Sequence, residues 1–298
     1  MAYSSFRELA TAAEKLGSLG AAAVAREAED TLATEDAVLA RLEETLVVME
    51  TAIAHGLAGD LPLRANLVGG DARLVADSAP RLSGDGFTTA LARALATGEV
   101  NASMGRVAAA PTGGASGVLP AVLTTIAERV DAPRDRVVLA LAAAAGVGGV
   151  IAARATLSGA VGGCQAEIGA AAAMAAAAAT ELAGGSVEQA ANAACFALQG
   201  QLGLVCDPVG GLVEVPCVVR NATGTAVALA AIELALSGAS FPIPLDEVID
   251  AMGSVGRSLP PSLRETARGG LAATPTGQRL GLNARARSGI VAERSEGE

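Results

Sequence analysis

Residues 165–182 read Gln165-Ala166-Glu167-Ile168-Gly169-Ala170-Ala171-Ala172-Ala173-Met174-Ala175-Ala176-Ala177-Ala178-Ala179-Thr180-Glu181-Leu182. Between Ala170 and Ala179 only Met174 is not alanine. Alanine is the strongest helix former, so this low-complexity run predicts a helix, not a disordered linker. The rest of the chain is made of similar material. Of its 298 residues 51% are hydrophobic, yet aromatics account for 2%: Tyr3, Phe6, Phe87, Phe196 and Phe241. A core of small aliphatic groups suits closely packed helices better than sheets, which draw on β-branched and aromatic side chains. The expected fold is all-α, a multi-helix bundle joined by Gly/Pro-rich loops.

Length alone sets a prior of about two domains. Composition divides the chain into a charged helical region, 1–100, an Ala/Gly-rich region, 101–277, and a flexible C-terminal tail, 278–298; the first two are compatible with one domain. Residues 4–30 read as one or two amphipathic helices with a break near 17–20. Thr34 is an N-cap candidate with Glu35 and Asp36 in the first turn. Val38, Leu42, Leu46, Met49 and Ile53 then recur every three or four residues, the period of a long amphipathic helix, which Gly56 is expected to end. Asp71 is placed to cap a short helix, and another covers 88–96. In the apolar half, helices are expected over 118–130, from Pro133 towards Gly146, over 165–182, and over 221–236. Ser186 with Gln189 three residues on is a capping-box pattern that starts a helix reaching about Gly200. A short helix follows at 246–253. Past Gly269 the Gly, Arg, Ser and Thr content predicts loose order.

Charge excludes several functions. Lys and Arg total 21 against 31 acidic residues, a net of −10. Such a chain, nearly without aromatics, lacks the basic patches and stacking platforms that nucleic acid requires. It has the marks of neither a membrane-surface binder nor a secreted protein: Arg7 and Glu8 fall where a signal's apolar core would begin. Residues 137–153 are the most apolar stretch, but Ala and Gly dilute it and Arg154 closes it. A membrane span needs about 20 strongly apolar residues, so this reads as a buried helix. The single lysine, Lys15, lies in a charged N-terminal helix, so no suitable Schiff-base partner for pyridoxal phosphate (PLP) is present. With one histidine, His55, a multi-histidine metal site is impossible. Four cysteines in a cytoplasmic-looking chain of this size do not form a disulfide framework.

Three glycine-rich passages carry the candidate chemistry. The first runs Ala110-Pro111-Thr112-Gly113-Gly114-Ala115-Ser116-Gly117 into a helix. It reads most simply as a tight loop between packed helices. It could also present helix N-terminal N–H groups to a small carboxylate through Thr112, Gly113, Gly114 and Ser116. In the second, Cys164 follows Gly162-Gly163 at the mouth of a helix, where the dipole favours a thiolate. In the third, Cys206-Asp207-Pro208 and Pro216-Cys217 bracket a loop. Cys195, among alanines within a helix, reads as a buried structural thiol. That reading suits the other three poorly, since all lie in or beside Gly/Pro loops. Three thiolates without a fourth would suit an iron–sulfur cluster with one open iron.

Residues 101–120, 162–169, 202–221 and 263–277 resemble the α chain of iron–sulfur-dependent L-serine dehydratase, and the likeness extends over nearly the whole chain. The resemblance implies deamination of L-serine to pyruvate and ammonia by a PLP-independent lyase. It implies a [4Fe–4S] cluster held by Cys164, Cys206 and Cys217, with the open iron acting as Lewis acid on the serine hydroxyl. Some members carry an additional β portion in one longer chain, so a separate β subunit is implied here. The general base is not identified: His55, beside a helix end, is usually a capping residue, and the base could come from the partner. Two alternatives stand beside this reading. One is a related iron–sulfur lyase on another small amino acid, such as a cysteine desulfidase. The other is a non-catalytic helical scaffold whose cysteines are merely buried.

Overall fold

The computed structural model describes residues 3–59, 61–63 and 65–287. Among these the regular structure is helical, without a strand. In chain order the α-helices are α1 (Phe6–Leu16), α2 (Leu19–Thr31), α3 (Glu35–Ala58), α4 (Asp71–Ala76), α5 (Asp85–Ala102), α6 (Val118–Arg129) and α7 (Arg134–Arg154). They continue as α8 (Gly159–Gly162), α9 (Ile168–Leu182), α10 (Val187–Gln199), α11 (Cys217–Leu236), α12 (Leu245–Ser258) and α13 (Pro275–Arg287).

The alanine run is α9, and it is the axis of the bundle. Every residue of it except Glu181 is buried. The helix packs against α6, α7, α10 and α11, so no face remains for solvent. Small side chains on the central helix let its neighbours approach closely, and interhelical distance follows side-chain size at the contact. The principal core cluster forms around it from Leu123, Val147, Ile151, Ile168, Leu198 and Ile232, with the alanines of α9 filling the middle.

Three of the acidic side chains accept hydrogen bonds from the N-termini of other helices. Glu181 of α9 accepts the Leu19 and Gly20 N–H groups of α2 at 2.6 and 3.2 Å. Asp246 of α12 accepts the Phe6 N–H of α1 at 2.7 Å. Glu99 of α5 accepts the Ala72 N–H of α4 at 3.1 Å. Each satisfies orphan donors and opposes the positive end of a helix dipole. Burial pushes the Glu99 and Glu181 carboxyls above the ordinary range, against these hydrogen bonds.

Local signals translate well. Thr34 caps α3, accepting from Ala37 N at 3.2 Å, and both halves of the Ser186/Gln189 capping box are formed. The stretch 137–153 lies within α7, packed on α2 and α9. By length and composition α7 and α11 are apolar enough to cross a membrane; 61% of the most apolar window of α7 is buried in the fold, and 44% of that of α11.

Three expectations need correction. Gly56 does not end α3: the helix continues to Ala58, and Gly59 (φ 89°) closes it in the left-handed conformation. Gly56 instead lets α3 touch α5, because a Cβ there would overlap the Ala96 carbonyl. The segment after Gly269 is ordered as a 3-10 turn, Gly270–Ala273, followed by α13. Gly281 of α13 packs on the backbone of Gly210, so the part of the expected flexible tail up to Arg287 is a docked helix. The remainder of that tail, 288–298, lies outside the described residues. Finally, α5 and α7 are longer at both or one end than periodicity indicated, because Gly98, Gly146 and Gly148 are accommodated inside helices by close neighbours.

Ala175, fully buried on α9, tests the packing. Ala175→Leu is expected to lower unfolding free energy by about 1–3 kcal/mol through overpacking. Chemical denaturation reads it, and an unchanged midpoint with an unchanged slope contradicts a close-packed centre.

Candidate functional site

The antiparallel return of α10 along α9 makes the site. α9 runs away from the 3-10 turn Cys164–Ala166, and α10 brings the chain back to the same end. There the Gln165 N–H donates to Leu204 O at 3.0 Å. The fully buried Gln165 amide binds main chain on both sides. Its Nε2 donates to Gly162 O (2.8 Å) and Met252 O (3.0 Å), and its Oε1 accepts from Gly203 N (2.9 Å). Cys206 is therefore delivered beside Cys164. It is held in a single parallel bridge with the 263–265 segment: Cys206 N–H donates to Leu263 O at 2.9 Å, and Glu265 N–H donates to Cys206 O at 2.7 Å.

Beyond Cys206 the chain makes a loop that ends where α11 begins, and Cys217 is the first residue of α11. The expected helix start at Asn221 was one turn late, because Pro216 occupies the N-cap position, where its missing N–H costs nothing. Buried polar side chains tie this loop down. Asp207 accepts from Arg220 Nη2 (2.8 Å) and from the Leu271 N–H (2.7 Å). Arg220 also donates to Val205 O at 2.8 Å. Glu214 accepts the Ala65 and Leu67 N–H groups at 2.7 and 2.8 Å. Asn221 joins the first glycine loop to α11: its Oδ1 accepts from Gly117 N (2.8 Å), and its Nδ2 donates to Gly114 O (2.8 Å) and Cys217 O (2.9 Å).

Cys164, Cys206 and Cys217 thereby come together, and each is close enough to perturb another. Burial pushes the Cys164 thiol up to about 11, with Arg220 pulling the other way. Burial pushes Cys217 up to about 12, and Cys164 adds to the rise. Cys206 is also raised, first by burial, then by Glu167 and by both other thiols. Cys195 stands apart. It is buried in α10 with its thiol 3.6 Å from Ile243 O, and burial lifts it to about 12. All four thiols are free.

Among the described residues no group of three His, Cys, Asp or Glu side chains closes on a single metal ion. A lone tetrahedral ion would draw its sulfurs within about 2.3 Å of one point. A polynuclear cluster spreads its thiolates over separate irons, and a donor set of three soft thiols with a neighbouring guanidinium fits an anionic iron–sulfur group. Binding would displace the thiol protons.

Cys206 and Cys217 open onto a cleft of about 670 Å³ whose lining also includes Thr112, Gly113, Gly114 and Glu167, with Cys164 buried behind them. Thr112 Oγ1 donates to Glu167 Oε1 at 2.8 Å. Burial raises the Glu167 carboxyl, against the Thr112 hydrogen bond. The expected binding loop is thus placed at the cleft except for Ser116. That residue is fully buried, its hydroxyl has no hydrogen-bond partner, and it does not line the cleft. His55 is exposed in the last turn of α3 and does not line it either. Another cavity, about 380 Å³ among α2, α3 and α7, contains no cysteine.

A family model described as serine dehydratase alpha chain matches residues 13–272. The chain belongs to the serine dehydratase alpha-chain family. Among its relatives, the probable L-serine dehydratase alpha chain of Bacillus subtilis is 47% identical over 260 residues, 86% of each chain. The L-serine dehydratase alpha chain of Peptoniphilus asaccharolyticus is 43% identical over 250 residues, 83% of this chain and 86% of its own. The L-serine dehydratase of Streptomyces coelicolor is 40% identical over 279 residues, which is 89% of this chain but 59% of the relative.

Sequence reading missed four residues of this family member's site: Glu167, Asp207, Arg220 and Asn221. A signal existed for three. Glu167 is the only charged residue between Arg154 and Glu181, and Asp207, Glu214 and Arg220 are the only ones between Glu188 and Glu233. Lone charges in apolar sequence need partners, and here those partners are loop backbone and one another.

Asn221→Ala would leave the Gly117 N–H and the Gly114 carbonyl without their side-chain partner. The expected loss is about 2–3 kcal/mol of stability, read by chemical denaturation of the metal-free protein. A change under about 0.5 kcal/mol, the scale of a neutral surface substitution, contradicts the stitching role.

Proposed function

We propose that this chain is the α subunit of an iron–sulfur-dependent L-serine dehydratase, which converts L-serine to pyruvate and ammonia together with a β chain. The observation that carries the reading is the convergence of Cys164, Cys206 and Cys217 at one end of α9, with Cys206 and Cys217 lining a glycine-walled cleft. Relatives named as L-serine dehydratase alpha chains support the substrate. Cys164, Cys206 and Cys217 would hold a [4Fe–4S] cluster through three of its irons. When bound, the cluster supplies a Lewis-acidic iron that makes the serine hydroxyl a better leaving group.

The chain's own residues bind and orient. Gly113 and Gly114 open a 3-10 turn, whose first N–H groups are free of intrahelical partners and suit the substrate carboxylate. Arg220, held by Asp207, sits beside Cys164 and offsets the negative charge of thiolates. Lys15 is exposed on α1, so PLP chemistry has no lysine at the cleft. The placement of His55 away from the cleft supports a base for the Cα proton that comes from the β chain. The alpha-chain names of the relatives support a separate partner, as do relatives in which a matching region is only part of a longer chain. A cytoplasmic location belongs to the same reading, since free thiols and an oxygen-sensitive cluster suit a reducing compartment.

Anaerobic purification or reconstitution with iron and sulfide is expected to give a brown protein with about four irons per chain. Serine at position 164, 206 or 217 should abolish or cripple iron uptake, whereas Cys195→Ser should keep it. Iron loss confined to Cys195→Ser overturns the ligand assignment.

Activity is expected from the anaerobic mixture of α and β chains with L-serine, and to decay in air. Assays of α alone, β alone and the mixture against serine, threonine and cysteine decide both partner and substrate. Equal turnover by α alone refutes a shared site, and turnover of cysteine in place of serine refutes the substrate.

A further inference from the structure

The cleft must recognise more than a carboxylate and a hydroxyl, because an α-amino acid carries a third group, an ammonium with three N–H donors. Two carboxyl groups line the cleft, Glu167 and Glu265. Glu265 is exposed on the loop after the Cys206 bridge. Glu167 is set into the wall at the start of α9, between the Gly113–Gly114 turn and the thiols. Its Oε1 accepts from Thr112 Oγ1 at 2.8 Å, and its Oε2 lies 3.7 Å from Cys206 Sγ. Gly159 makes room for it, since a Cβ at 159 would overlap Oε2.

The order along the wall is therefore N–H donors at 113–114, a carboxyl acceptor at 167, and the Cys206 thiol. The order of groups on L-serine is carboxylate and ammonium on Cα, with the hydroxyl on the next carbon. We propose that Glu167 binds the substrate ammonium, and so makes the site selective for an α-amino acid over the α-hydroxy acid of the same shape. This rests on the dehydratase reading above and deepens it.

The carboxyl is held in place before substrate arrives. The Thr112 hydroxyl fixes one oxygen, and the backbone at Gly159 limits the swing of the other. A charge-assisted hydrogen bond to such an acceptor is directional and strong. The neutral oxygen of a hydroxy acid would forgo it.

The test uses the anaerobically reconstituted α and β chains together, with iron content measured on every sample. The probes are L-serine as substrate and 2,3-dihydroxypropanoate, which lacks the ammonium, as competitive inhibitor. In Glu167→Gln the KM for L-serine is expected to rise between about tenfold and a hundredfold, the scale of a lost hydrogen bond to a charged group. The inhibition constant of 2,3-dihydroxypropanoate should stay within about twofold of wild type, a range consistent with ordinary scatter in context-dependent contacts. A merely structural role would move both constants together, and that result, or an unchanged KM, overturns the proposal. If Glu167→Gln fails to take up iron, Glu167→Asp carries the same comparison, with a KM between those of wild type and a charge-free site. Iron loss in both variants overturns the proposal in favour of a role in supporting Cys206. Absence of serine turnover by the wild-type complex is a different failure, that of the dehydratase reading itself.

Discussion

The burial of α9 on every side governs the rest of the molecule. A helix that is mostly alanine around its whole circumference can be surrounded only if its neighbours come close, and α6, α7, α10 and α11 do so. Closeness has a topological consequence. α10 must return along α9, so the chain leaving α10 arrives where α9 began. Cys164 precedes α9, Cys206 follows α10, and Cys217 starts the next helix to lie on α9. Three thiols from three separate segments of the sequence thus meet at one end of a single helix.

Main-chain groups buried in the loops need hydrogen-bond partners, and side chains supply them. That is the common role of Gln165, Asp207, Glu214 and Asn221, each buried and each bonded to backbone from distant segments. The loops carrying the thiols are consequently fixed by hydrogen bonds to side chains of distant segments. The same device recurs away from the site, where Glu99, Glu181 and Asp246 accept helix N-terminal N–H groups. An acidic composition that looked like simple surface charge is in part internal wiring.

Much of this was legible in the sequence where the cause was local. The alanine run, the Thr34 cap and the Ser186/Gln189 box act within a few residues, and they appear as read. The Gly/Pro setting of Cys164, Cys206 and Cys217 separated them from Cys195, which is indeed a mid-helix buried thiol. Misreadings arose where a distant segment decides the outcome. Gly56 looks like a helix stop until α5 is seen against it. Ser116 looks like part of a binding loop, but the turn aims it into the core. The segment to Arg287 looks loose because its stabilising contact, Gly210, is far away in sequence. Glu167 could have been flagged as a lone charge in a long neutral stretch, but its partners Thr112 and Cys206 emerge only from the fold.

The central claim is that the α9 bundle presents three thiols of this chain, and no fourth ligand from it, to an iron–sulfur cluster. A crystal of the anaerobically reconstituted chain, measured at the iron absorption edge, tests this directly. The predicted result is one compact iron signal in the cleft, joined to Cys164, Cys206 and Cys217, with one iron bearing no side chain of this chain. Iron bound through Cys195, or a fourth side chain of this chain closing the cluster, would contradict the account.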